Sequence, residues 1–338
     1  MSIDAARARV MRAREQGAER GLAEALAALA ADLVPAGDLA AAREALDEAS
    51  RLHAEAGRAG DERHCSQFAA TLSRLLGDTE GARARAARAA ELSSQGSPGA
   101  ISAHAELGET ALAAGNLETA AAEFGDALRH AEEFPLAPAD RAALLRKQAT
   151  ALEADDRTTL AVEALDEAFG VLVKANDETL ALRVRIEAIT ALQNAGRNHE
   201  ADMRRAEAFK AARRMNDEHA LADLELLESA AALDASDAGA ALAAATRSRE
   251  HALKAVAPVS YMAAALAIAE LHEEAGDRVA AYGALASGYA TLGDLLGSGA
   301  ASESFGTKLA ECRDRWGDAT FREVKQAYEA QRKGDSSQ

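Results

Sequence analysis

The sequence predicts an all-α protein, a right-handed α-solenoid of about seven helix-turn-helix units closed at both ends by capping helices. Three observations carry this. Among its 338 residues, 49 % are apolar, mostly alanine, with only 4 % aromatics and 5 prolines; alanine with Leu, Glu and Arg favours helices and lets their backbones approach closely. No run of alternating β-branched residues argues for a sheet. One phrase recurs along most of the chain: a Gly-Asp-like turn, then small or apolar residues at i, i+4 and i+7.

In order, Ser2 can cap a first helix over about residues 3–16, and a second helix runs to about Val34, where Pro35 stops it. Gly37-Asp38 then precedes Ala42, Leu46 and Ala49, and Gly77-Asp78 precedes Ala82, Ala86 and Ala89. Gly115-Asn116 precedes Ala120, Phe124 and Ala127; Asp155-Asp156 precedes Ala161, Leu165 and Ala168; Gly196-Arg197 precedes Ala201, Arg205 and Ala208. A weaker copy near Ala235 leads to Ala240 and Ala244, and Gly276-Asp277 precedes Ala281, Leu285 and Gly288. The leading alanines at 42, 82, 120, 161, 201, 240 and 281 are spaced by 40, 38, 41, 40, 39 and 41 residues.

Each part of the phrase has a local cause. The glycine supplies the left-handed conformation that ends one helix, and the Asp or Asn after it accepts hydrogen bonds from the free N–H groups that begin the next. Twelve residues before the leading alanines stand Ala30, Ala70, Gly108, Ala149, Ile189 and Ala269, mostly small, as close helix crossing requires. Within Ile101–Phe134, Leu107-Gly108, the Gly115-Asn116 turn and the Ala120, Phe124, Ala127 stripe resemble the tetratricopeptide (TPR) unit, with Leu-Gly in its first helix and Ala-x3-Phe in its second. The period departs from that unit's 34 residues and matches HEAT and armadillo units, but the turn and stripe favour TPR. The surplus, shared by two helices, lengthens each by under one turn.

The resulting partition is an N-terminal capping helix over 1–22, seven repeats over 23–296, a helical cap over 297–333 and a disordered tail over 334–338. Two stretches break the rhythm: Ser93–Gly99 (SSQGSPG), a loose connection, and Gly297–Ser302 (GSGAAS), which ends the array and lacks the strand and Lys-Ser/Thr of a phosphate loop. Beyond it, Leu309, Cys312 and Trp316 form one stripe and Phe321, Val324 and Tyr328 another. Seven of the 12 aromatics follow residue 260: Tyr261, Tyr282, Tyr289, Phe305, Trp316, Phe321 and Tyr328. A last repeat has no neighbour to cover its face, so these aromatics read as the closing of the core; pairing with a second copy, giving a homodimer, is the other reading.

Composition narrows function. With 38 Lys plus Arg against 55 Asp plus Glu, the net charge is −17, which opposes binding to nucleic acid or to an anionic membrane. The basic runs Arg7–Arg14 and Arg204–Arg214 lack interleaved aromatics and read as solvated faces or a dock for an acidic partner. Cys65 and Cys312 fit no redox or metal spacing, the N-terminus has no apolar core of a signal, and no uncharged run is long enough to span a bilayer; a cytoplasmic protein is expected. The eight histidines show no zinc spacing on one helix, and no nucleophile motif stands out. No metal, no cofactor and no catalysis are therefore expected.

In TPR proteins the first helix of each hairpin lines a groove, and the resemblance places that stripe three residues before, and one and four after, each small crossing residue. The candidate partner-binding residues are then Gln67, Thr71 and Arg74; Glu109; Arg146, Thr150 and Glu153; Thr190 and Gln193 with Arg183 and Asn194 beside them; and Glu270 and Glu273. Such a face of amides, hydroxyls and a few arginines can bond an extended peptide backbone and pair with acidic groups. The expected function is a non-catalytic scaffold for a protein or peptide partner. The alternatives are a peptide-sensing regulator acting through another chain, as many bacterial proteins with such arrays do, and a self-assembling structural protein. The Lys/Asn carboxylate clamp of chaperone-binding TPR domains is absent from these positions.

Overall fold

In the computed structural model, residues 3–296 and 300–335 are described. They form seventeen α-helices and one 3-10 turn, and among them there is no strand. The helices are α1 (Ile3–Glu15), α2 (Glu19–Leu33), α3 (Leu39–Glu55), α4 (Ala59–Leu75), α5 (Thr79–Glu91), α6 (Pro98–Ala113), α7 (Leu117–Glu133), α8 (Pro138–Ala154) and α9 (Thr158–Lys174). They continue as α10 (Glu178–Asn194), α11 (Asn198–Met215), α12 (Glu218–Asp234), α13 (Ala238–Lys254), α14 (Pro258–Glu274), α15 (Arg278–Leu296), α16 (Ala300–Trp316) and α17 (Asp318–Asp335). The chain divides into two compact units, Met1–Val184 and Arg185–Gln338. In the first, each helix from α1 to α9 packs on the next, and α4 also touches α6, one hairpin on. In the second, the same sequential packing runs from α11 to α16, α12 touches α14, and α17 folds back onto α15 and α16.

The turns explain the period. In the first unit, left-handed residues stand at Gly37, Gly57, Gly77, Gly115, Asp156 and Asn176; in the second, at Gly196, Asn216, Ser236, Val256 and Gly276. At each, the following residue's N–H bonds to the carbonyl five positions before it, at 2.8 to 3.2 Å, as from Asp78 to Ser73 and from Asp237 to Ala232. This is the Schellman closure of a helix C-terminus. The same turn therefore joins helices within a hairpin and between hairpins, and the repeat is two near-equal halves: most helices have 17 residues, followed by three residues of turn. The sequence reveals the first kind through glycines at five of seven turns, Asp156 and Ser236 holding the left-handed position at the other two. The second is harder to see because Asn176, Asn216 and Val256 hold the left-handed position instead.

Asp38, Asp78, Asp177, Asp217, Asp237 and Asp277 each accept a bond from the N–H three residues on, as expected of helix caps. Asn116 makes no such bond. The 93–99 connection is shorter than expected: Ser97 caps α6, accepting from Ala100 N–H, and Pro98 opens it, the usual place for proline in a helix. Of the GSGAAS stretch, 297–299 lie outside the described residues while α16 already begins at Ala300. The expected tail overlaps α17 at 334 and 335; 336–338, like Met1 and the Ser2 cap, lie outside the described residues.

Val256 is the exception among these turns. It is β-branched at φ +52°, a conformation costing roughly 1–2 kcal/mol without glycine, and its side chain is 63 % exposed, so little burial opposes its removal. Val256→Gly is expected to raise stability by about 1 kcal/mol, the strain relief being partly offset by the freer unfolded chain. Urea denaturation followed by circular dichroism checks this, with Val256→Ala, which keeps Cβ, gaining less.

The core is built from small residues. Ala42, Ala49, Ala82, Ala86, Ala120, Ala161 and Ala201 are wholly buried, and the crossing residues Ala30, Ala70, Ala149, Ile189 and Ala269 are at most 5 % exposed. The third hairpin shows why: a Cβ on Gly108 of α6 would come within 2.8 Å of the Phe124 ring of α7. The C-terminal aromatics close the second unit's core. Tyr261, Tyr282, Phe305, Trp316 and Val324 are buried together, with Phe321 and Tyr328 packed on them, and the Tyr282 ring meets Phe321 and Tyr328 edge-on at 5.5 Å. Of the seven, Tyr289 stays largely outside, at 47 % exposed.

Candidate partner-binding face

The first helices of the hairpins present the residues expected to line a groove, and many of these are already engaged between helices. On α4, Gln67 Nε2 donates to the Ser102 carbonyl of α6 at 3.1 Å, Thr71 Oγ1 donates to Glu106 Oε2 at 2.9 Å, and Arg74 Nε donates to Glu106 Oε1 at 2.7 Å. Glu106 is only 7 % exposed, so this carboxylate depends on the two donors for the solvation it has lost. Glu109 of α6 pairs with Lys147 of α8. In the second unit Gln193 Nε2 donates to the Leu227 carbonyl of α12 at 2.9 Å. The amide oxygens of Gln67 and Gln193 are buried with no bonding partner.

The remaining residues divide by exposure. Thr150 and Thr190 donate to carbonyls one turn back in their own helices, at Arg146 and Ile186. Arg146 and Glu153 are half-buried on α8; Arg183 and Asn194 are exposed on α10, and Glu270 on α14. Glu270 and Glu273 share the wall of a small cavity of about 70 Å³ with Cys312 and Arg315.

Glu273 is a latch for the C-terminal cap. It accepts Trp316 Nε1–H at 2.7 Å and Arg315 Nη2–H at 2.6 Å. The Arg315 guanidinium, followed by the Trp316 indole, holds its carboxyl below the ordinary value of 4.5. A depressed carboxylate contributes stability that is present above the ordinary value and is lost as pH falls through the lowered one. The thermal transition seen in the fluorescence of Trp316, the sole tryptophan, should therefore fall on acidification below about pH 4.5. Glu273→Gln should start lower and show less of that dependence.

Two features were not read from the sequence. Phe68 and Leu75 on α4 are 52 % and 59 % exposed, with the Phe68 ring against His64 at 4.8 Å. With Thr71 between them they form one i, i+3, i+7 stripe beside Gln67 and Arg74. Periodicity alone assigns such apolar residues to a core. The second feature is a cleft of about 470 Å³ bounded by α5, α6 and α7, lined by Thr79, Arg83, Thr110, Asn116, Thr119 and Glu123 among others. It adjoins α5, which has 13 residues and buries only alanines; that short, small-residue helix is the signal the sequence held. His53 is 4 % exposed; burial, then Arg58, keeps its pKa below the ordinary 6.5.

The fold defined by these hairpins is TPR-like, and the solved structures it resembles are TPR-like repeat proteins. The chain is similar to apo RapI over 94 % of its own length and 88 % of that chain, at 12 % identity and TM-score 0.58. It is similar to a Signal Transduction ATPase with Numerous Domains carrying a tetratricopeptide repeat sensor, from Pyrococcus horikoshii, over 85 % of its length and 44 % of that chain, at 14 % identity and TM-score 0.61. It is also similar to the apo quorum sensor NprR from B. thuringiensis over 80 % of its length and 77 % of that chain, at 11 % identity and TM-score 0.52. No family model matches the sequence, and no curated protein matches it. Among the described residues no helix is long and apolar enough to cross a membrane.

Proposed function

We propose that the chain is a non-catalytic scaffold that holds a peptide segment or partner protein along the first helices of its hairpins. The carrying observation is the α4 stripe. Phe68 and Leu75 lie uncovered on the helix whose polar residues Gln67, Thr71 and Arg74 are already fastened to α6. Apolar anchors on a rigid, hydrogen-bonded base are the arrangement from which peptide-binding faces draw their energy. Within the same unit, the exposed Thr150 and Arg183 add polar contacts under this reading; Asn194 and Glu270 are exposed on the first helices of the other unit. A second reading, a peptide-responsive regulator acting through another chain, draws support from the sensor roles named for the NprR and Pyrococcus horikoshii neighbours.

The test is affinity capture from the native cell, quantified by mass spectrometry, with wild type against Phe68→Ala/Leu75→Ala. Both side chains are more than half exposed, so circular dichroism should be unchanged. At least one partner held by the wild type should fall about tenfold or more, as loss of two anchor side chains implies. Identical capture by both proteins removes this face from the function.

A further inference from the structure

The α6–α7 hairpin brings together three metal-ligating side chains that lie on two different helices. His104 stands on α6, and Glu123 and Asp126 stand three residues apart on one face of α7. His104 Nδ1 and Glu123 Oε2 are 2.8 Å apart, and one donor atom from each of the three lies within 4.8 Å of the other two. All three are half-buried, and the His104 and Glu123 side chains keep 21 % and 24 % of their exposure, so water and ions reach them. Glu123 is also part of the wall of the 470 Å³ cleft.

The neighbours leave the cluster available. The His130 ring lies 5.1 Å from that of His104, but its Nδ1 accepts the Gly96 N–H at 3.1 Å. Its proton is therefore on Nε2, and it is a neighbour, not a ligand, in this arrangement. Asp126 is paired with Arg129 one turn along its own helix; that arginine is 66 % exposed, and such surface pairs are worth little.

We propose that His104, Glu123 and Asp126 bind one divalent transition-metal ion of the zinc class, clipping α6 to α7. An imidazole nitrogen with two carboxylate oxygens suits zinc, whereas magnesium and calcium take oxygen ligands. The ion replaces the hydrogen bond between Nδ1 and Oε2: the single proton of the neutral ring passes through water from Nδ1 to Nε2, which frees the Nδ1 lone pair for the ion, and Glu123 turns from acceptor to ligand. Ligand distances of about 2.0–2.2 Å require the three donor atoms to close from their present spread by side-chain rotation, with water completing the shell. No histidine spacing along one helix points to this set, because the hairpin assembles it from α6 and α7.

The test is calorimetric titration of ZnCl2 into the metal-free full-length chain, alongside His104→Ala and Glu123→Gln, with circular dichroism to show that both variants are folded. Wild type should take up one ion per chain with an affinity at least about tenfold above either variant, and zinc, but not magnesium at the same concentration, should raise its melting temperature. Cobalt in place of zinc should give visible absorption bands that His104→Ala lacks. The proposal is overturned if wild type shows no saturable uptake at one ion per chain, if both variants bind zinc as tightly as wild type, or if magnesium reproduces the thermal shift.

Discussion

Replacing Phe124 by alanine is expected to cost about 3–5 kcal/mol, the range for emptying a buried aromatic site. The ring is wholly buried and rests on the bare backbone of Gly108, where a Cβ would approach it within 2.8 Å. The buried neighbours of Phe124 on its own helix face include the alanines Ala120, Ala121, Ala127 and Ala131, and side chains that short cannot swing in to refill the space. A second measurement distinguishes this account from generic loss of apolar area. Gly108→Ala alone should destabilise by roughly 1–3 kcal/mol through overpacking. Combined with Phe124→Leu, which vacates part of the same space, it should cost less than the sum of the two single changes. Urea denaturation of the four proteins gives the coupling; simple additivity would mean that the two residues do not share a packing site.

The same pair shows how much was legible in advance. Leu107-Gly108 and the Ala120, Phe124, Ala127 stripe place the two helices against each other because glycine, alanine and phenylalanine carry their packing roles locally. The Gly-Asp turns were legible for a like reason: a left-handed glycine and a capping aspartate act within five residues of themselves. The candidate face was legible only as a set of positions. Whether Thr71 meets Glu106, or Gln67 the Ser102 carbonyl, depends on the register of two helices that pairs residues 35 apart, which no local preference sets. Glu273 shows the same limit: its partners Arg315 and Trp316 lie more than 40 residues away, so its bonds to α16 could not be read from its neighbours in sequence. The His104 and Glu123 pairing escaped for the same reason, being made between residues 19 apart on the two helices of a hairpin.

Arg74→Ala is expected to be the other severe substitution, costing about 3 kcal/mol or more, and more than Glu106→Ala. The asymmetry follows from burial. The Arg74 side chain is 22 % exposed while that of Glu106 is 8 % exposed, so an arginine that loses its partner can still be solvated, whereas the carboxylate left by Arg74→Ala keeps only the Thr71 hydroxyl. Breaking a buried pair from one side costs about 3–5 kcal/mol, while replacing both members by apolar groups of similar size is often near neutral. Arg74→Met with Glu106→Leu should therefore recover most of the loss, and chemical denaturation of the singles and the double decides it. A double variant as unstable as Arg74→Ala would mean that the stranded carboxylate is not the cause. The result also bears on binding. If Arg74 holds α4 to α6, weakened partner capture in an Arg74 variant would report a damaged face as readily as a lost contact; Phe68 and Leu75, which project beside that bond and take no part in it, separate the two.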